Sequence, residues 1–151
     1  MKTQSEPMNE CIDVCNSLLR GELSAVETYS HVIHQYKNEP QISLLRDMRS
    51  EHLKNVELLR QNVLSMGGDP DTDSGAWGVF AKTVQSTANL IGENSALQIL
   101  QQGEDHGINE YEAALKNEDV MPACKSLIRE TLLPRTRPHV SILKTLAARI
   151  S

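Results

Sequence analysis

Residues 8–37 read MNECIDVCNSLLRGELSAVETYSHVIHQYK, and their spacing decides the fold class. Ile12, Cys15, Leu19, Glu22, Val26, Tyr29, Ile33 and Tyr36 follow one another at intervals of 3, 4, 3, 4, 3, 4 and 3. Such spacing lays one stripe along a single long helix. Pro40 closes a short connection, and the same intervals return at once in Ile42, Leu45, Arg49, His52, Val56, Leu59, Val63 and Met66. Gly67-Gly68-Asp69-Pro70 then stops the second helix. Two long helices joined so tightly must lie antiparallel.

Asp71 to Gly75 reads as loop, and Trp77 to Ile91 as a shorter amphipathic helix ended by Gly92. A third long helix starts at the Asn94-Ser95 cap and carries Leu97, Leu100, Glu104, Gly107, Tyr111 and Ala114 on its stripe. A fourth runs from about Val120 to Ile150, with Pro134 and Pro138 set to kink or split it. The expectation is an all-α four-helix bundle of ferritin-like type: two antiparallel hairpins joined by a long crossover that contains a short helix. It occupies residues 8–150 as a single domain, after a flexible segment 1–7.

Composition agrees. In 151 residues there is one Trp and one Phe, too little aromatic surface for a β-sandwich or barrel. Lys and Arg total 15 against 20 Asp and Glu, a formal charge of −5, which disfavours a nucleic-acid partner. No apolar run suits a membrane span, and residues 1–8 lack the apolar stretch of a signal peptide, so a cytoplasmic protein is expected. Three cysteines fit free thiols. Cys11 and Cys15 share a helix face, which permits metal or redox chemistry, but packing is the favoured role.

The hairpins repeat one another. Leu18, Gly21, Glu22, Ala25, Val26 and Tyr29 match Leu100, Gly103, Glu104, Gly107, Ile108 and Tyr111. Around His52 and His139 a looser match pairs Leu45 with Leu132, Val56 with Leu143 and Leu59 with Leu146. Each hairpin therefore brings one Glu and one His to the centre about a pseudo-two-fold axis. Charge at a core position costs several kcal/mol unless it is paired or coordinated. Glu22, His52, Glu104 and His139 can hold one divalent ion of iron, manganese or zinc. Alternatively Arg49 pairs with Glu22 or Glu104, and the histidines complete a metal-free network. Tyr29 and Tyr111, two turns from the glutamates of their own helices, read as core residues. His31, His34 and His106 lie off the stripes, and Glu51 can reach only the edge of a site.

One count runs against His139. Glu104 lies about 13 residues before its helix ends and His139 about 19 after the next begins. The excess is roughly 9 Å of helix rise, which an overhang or a kink at Pro134–Pro138 has to absorb.

Gly21-Glu-Leu-Ser-Ala-Val-Glu-Thr-Tyr29 resembles the first-helix motif of bacterioferritin-type proteins, and Gln102-Gly-Glu-Asp-His-Gly-Ile-Asn-Glu-Tyr-Glu112 the third-helix counterpart. From about Met8 to Ile150 the chain resembles more closely an uncharacterised bacterial family of ferritin-like proteins. Glu51-His-Leu-Lys-Asn-Val-Glu57, Gly67-Gly-Asp-Pro70, Ser74-Gly-Ala-Trp-Gly78 and Gly103-Glu-Asp-His-Gly107 carry that likeness. The resemblance implies the fold, and a link to oxidative stress or iron handling; fold alone does not imply activity. Di-iron relatives place a Glu three residues before each ligand histidine, where this chain has Arg49 and Thr136. A di-iron ferroxidase is therefore not expected, and the ligand set reduces to Glu22, His52, Glu104 and His139. The competing expectation is a helical module working through protein contacts or as a homo-oligomer, with a patch at Trp77, Val79 and Phe80. Turnover of an organic substrate ranks behind both.

Overall fold

A computed structural model describes residues 5–35, 39–75 and 93–150. All regular structure among them is helical: α1 (Ser5–Gln35), α2 (Glu39–Ser65), α3 (Glu93–Lys116), α4 (Pro122–Leu127), a π-helical turn (Ile128–Leu132) and α5 (Leu133–Ile150). Helix α1 begins ahead of Met8, where the spacing places its start. The short helix expected over Trp77–Ile91, with its apolar patch, and Tyr36 fall outside the described residues. No helix among the described residues is long and apolar enough to cross a membrane.

The closest packing joins α1 to α2 and α3 to α5, and α1 also lies against α3. Two apolar clusters fill the interior. One gathers Cys15 and Leu19 of α1, Leu59 and Val63 of α2, Tyr111 of α3 and Ile128 of the π turn. The other gathers Tyr29 and Val32 of α1, Leu45 of α2, Leu97 of α3, and Leu143 and Leu146 of α5. The first half of α1 thus meets the second halves of α2 and α3, so α1 runs antiparallel to both. Between the clusters lies a polar layer of Glu22, His52, Asn55, Glu104, Thr136 and His139, every one buried.

The stop at the end of α2 follows the sequence. Gly67 takes φ +82°, a left-handed conformation that glycine adopts freely. Gly68 N–H bonds the Val63 carbonyl and Gly67 N–H the Leu64 carbonyl, the pair of bonds of a Schellman cap. Gly68 is needed for another reason: a Cβ there would lie 2.7 Å from Ile12 Cγ2. The chain beyond runs along α1. Asn16 donates to the Asp69 carbonyl and accepts from Asp71 N–H, Arg20 pairs with Asp71, and Ser74 donates to Glu27.

The fourth long helix is divided. Asn117 Oδ1 accepts the Asp119 N–H in a turn, and Pro122 opens α4 at a position where its missing N–H costs nothing. Leu133 N–H then bonds the Ile128 carbonyl, five residues back. Pro134 explains the widening, since it has no N–H for the Glu130 carbonyl and its ring would crowd that group.

Candidate functional site

Three helices carry the centre on their buried stripes, and a fourth element, α5, completes it. Glu22 is 5% exposed, His52 and Glu104 3%, and His139 1%. His52 stands between the two carboxylates. Its Nδ1 lies 2.5 Å from Glu22 Oε2 and its Nε2 2.6 Å from Glu104 Oε1. Both ring nitrogens face acceptors, so both must carry protons to satisfy them, which makes the ring an imidazolium. Burial pulls the His52 pKa down, but the charges of Glu22 and Glu104 and their hydrogen bonds outweigh it and hold it well above the ordinary histidine value. For Glu104, burial pushes upward, yet the His52 charge and the bonds from His139 and His52 bring the carboxyl to about 2.

His139 arrives with Nδ1 3.1 Å from Glu104 Oε1, so the excess of helix counted from the sequence is absorbed. Cys124 meets Cys15, seven residues before Glu22 on α1, whereas fifteen separate it from His139. Helix α4 and α5 thus do not climb beside α1 residue for residue. Cys124, Ile128, Leu132 and Leu133 all stay within the first apolar cluster, so the chain reaches the polar layer only at Thr136 and His139.

The tyrosines are core residues, as expected, and their hydroxyls are also direct partners of the glutamates. Tyr29 donates to Glu104 Oε1 at 2.6 Å and Tyr111 to Glu22 Oε1 at 2.5 Å. Each serves the glutamate of the other repeat. Measured along its own helix a tyrosine is far from the site, but antiparallel pairing of α1 with α3 sets it opposite the other carboxylate. Burial, then the nearby glutamates, raises both phenols well above their ordinary pKa.

Arg49 requires a correction. It joins neither carboxylate: half-buried, it donates to Ser30 Oγ at 3.3 Å. A long side chain beside the layer can lay its stem on apolar surface and keep its charge hydrated, avoiding the cost of burial. The network therefore holds no buried arginine. Arg135 touches it from outside by donating to Asn55 Oδ1 at 3.0 Å, while Asn55 Nδ2 donates to Glu22 Oε1 at 3.2 Å. Asn55 and Arg135 were not legible as site residues, because Asn55 lies one place off the stripe and Arg135 reaches in from α5. Thr136, three residues before His139, bonds the Leu132 carbonyl at 2.7 Å and supplies no carboxylate.

The remaining histidines sit apart. His34 and His106 are exposed, and His106 lies 3.6 Å from Glu110. Glu51 reaches closer than expected, with Oε1 3.5 Å from His139 Nε2, an ion-pair distance without a hydrogen bond.

Two buried side-chain atoms among the described residues lack a hydrogen-bond partner, Glu104 Oε2 and His139 Nε2. Both belong to the trio His52, Glu104 and His139, each of which offers a ligand atom within 4.8 Å of the others. Glu22 is outside that trio, on the far side of the His52 ring. A cavity of about 50 Å³ opens between α1 and α3, lined by Gly21, Ala25, His52, Gly103, Glu104 and Gly107 among others. Added Cβ atoms at Gly21 and Gly107 would meet nothing within 4 Å, so these glycines keep space open rather than let helices touch.

Comparison with curated proteins and with solved structures gives no match. A family model matches residues 10–117, a span that holds Glu22, Tyr29, His52, Asn55, Glu104 and Tyr111 and ends before α4 and α5 bring His139. On that match, the chain belongs to the family described as Domain of unknown function (DUF2383).

Proposed function

We propose that this chain is a ferritin-like protein that binds one divalent ion of iron, manganese or zinc through His52, Glu104 and His139. The observation that carries the reading is the pair of orphaned atoms: among the described residues, the buried polar atoms left without a partner, Glu104 Oε2 and His139 Nε2, both fall on one trio of convergent ligands. A buried polar atom without a partner costs about 1–3 kcal/mol, an expense that binding sites commonly carry. Two imidazoles and one carboxylate are a borderline donor set that suits these ions. Arg49 and Thr136 supply no bridging carboxylate, so the set fits one ion and not two.

The chain's own groups divide the work. Glu22 receives the Nδ1 proton of His52 and so orients the ring, leaving Nε2 to serve as ligand once its proton is gone. Tyr29 steadies Glu104. The cavity between α1 and α3 gives a route to both residues. A bound ion would supply a Lewis acid and, for iron or manganese, a one-electron couple.

The test loads chelator-stripped full-length protein anaerobically with Fe(II), Mn(II) or Zn(II) and counts metal per chain. One equivalent is expected. His52→Ala and His139→Ala should abolish it, while Glu22→Ala, which removes an outer partner, should weaken it about 10–100-fold. No retained metal and no thermal shift on loading would overturn the reading.

A second reading draws on a specific observation, the bridging of both carboxylates by His52 at 2.5 and 2.6 Å. That closes most of the charge without metal, and describes a helical module that acts through protein contacts or as a homo-oligomer. The same metal count distinguishes the two.

A further inference from the structure

Cys11, Cys15 and Cys124 meet at the opposite end of the first apolar cluster from the histidines. All three are free and buried, and their sulfurs lie within 4.8 Å of one another, with Cys15 Sγ and Cys124 Sγ 3.0 Å apart. Cys11 and Cys15 stand one turn apart on α1, and Cys124 comes from α4, 109 residues after Cys15. The sequence spacing exposes only the first two; the third is placed by the fold.

Free cysteine often packs as a small hydrophobe. Two features go beyond packing. Asn62 Nδ2 donates to Cys15 Sγ at 3.2 Å, and Met121 N–H to Cys11 Sγ at 3.4 Å. A thiol sulfur is a weak acceptor, whereas donors placed on sulfur are the usual outer partners of metal thiolates. The second feature is size. An ion bound in the plane of three sulfurs at about 2.3 Å would set them about 4.0 Å apart. The observed separations, from 3.0 Å up to at most 4.8 Å, bracket that value.

Among the described residues, no fourth His, Asp or Glu joins the trio. Structural zinc asks for four ligands, while soft thiolates alone select Cu(I). We propose that Cys11, Cys15 and Cys124 form a site for one Cu(I) ion. The inference stands independently of the His–Glu centre. On binding, copper–sulfur bonds form and each ligating thiol releases its proton to solvent; copper stays Cu(I), and no electron moves.

The test titrates reduced full-length protein anaerobically with Cu(I) against the chelator bicinchoninate. One ion per chain should be withheld from the chelator, with a new sulfur-to-copper absorption in the near ultraviolet. Cys15→Ser and Cys124→Ser should each lower the affinity by at least about 100-fold, more than the loss of an outer partner. His139→Ala should retain the copper. X-ray absorption on the copper-loaded wild type needs no variant to fold, and should show sulfur neighbours only. Copper left wholly to the chelator, nitrogen or oxygen neighbours, preferential uptake of Zn(II) by the thiols, or undiminished binding in the triple Cys→Ser variant would each overturn the proposal.

Discussion

Tyr29 and Tyr111 do at the residue scale what further cations beside His52 would otherwise have to do. Each sends a hydroxyl proton to a carboxylate rooted in the opposite repeat, so a buried charge is stabilised without a second buried charge. Removing such a donor takes one hydrogen bond from a buried charged acceptor where water cannot replace it. Tyr29→Phe and Tyr111→Phe should therefore each destabilise the protein by about 1–3 kcal/mol while keeping the ring's packing. Urea unfolding midpoints measure the loss. The double variant should depart from additivity, because His52 couples the two carboxylates. A sum of independent effects would show that the halves of the layer are separate. Glu22, His52 and Glu104 were legible because the helical period puts charge where apolar residues belong. Asn55 and the tyrosines' targets were not, since a period describes one helix and these contacts run between helices.

At the scale of elements, two glycine roles separate cleanly. Gly68 admits α1: a methyl there would press on Ile12 and on Val63, whose Cγ1 would be 3.1 Å away. Gly107 admits nothing within the chain, since its Cβ would meet open space beside the cavity. Glycine inside a helix costs about 0.5–1 kcal/mol relative to alanine. Gly107→Ala should thus raise stability by about that amount and slow metal uptake by narrowing the way to Glu104, whereas Gly68→Ala should destabilise. Thermal unfolding reads the first effect and stopped-flow metal uptake the second. Unchanged uptake in Gly107→Ala would remove the cavity as the route. The glycines at 67 and 68 announce their turn in the sequence. The role of Gly107 does not show there, because the stripe position it occupies reads as ordinary close packing. The fourth helix was legible only as interrupted: Pro134 marks the break, but whether it yields a kink, a gap or a π turn depends on what α4 and α5 pack against.

For the whole molecule, the polar layer joins α1, α2, α3 and α5 at one level, so its protonation is linked to global stability. His52 faces Glu22 and Tyr29 from α1, Glu104 from α3 and His139 from α5. In metal-free protein its pKa is raised, so its contribution is fully present below the unfolded value near 6.5 and is lost as pH rises through the folded value. Glu104 behaves oppositely. Its pKa is lowered from 4.5 to about 2, so its contribution is present above about 4.5 and is lost as pH falls towards 2. Together they place the metal-free optimum between about pH 4.5 and 6.5. Above that window stability should decline by up to about 1.4 kcal/mol per pH unit for the proton that folded His52 keeps and the unfolded chain has lost. A divalent ion reverses the upper limb, because it must displace the proton on His52 Nε2, and its binding strengthens as pH rises. At a concentration 100 times its Kd it adds about 2.7 kcal/mol. Urea unfolding from pH 4 to 9, with and without saturating Zn(II), measures both limbs. The metal-free curve should fall above pH 6.5 and the loaded curve should stay level or rise, and His52→Gln should flatten the metal-free decline. Two curves that coincide across the range would leave the layer a metal-free latch between the two hairpins.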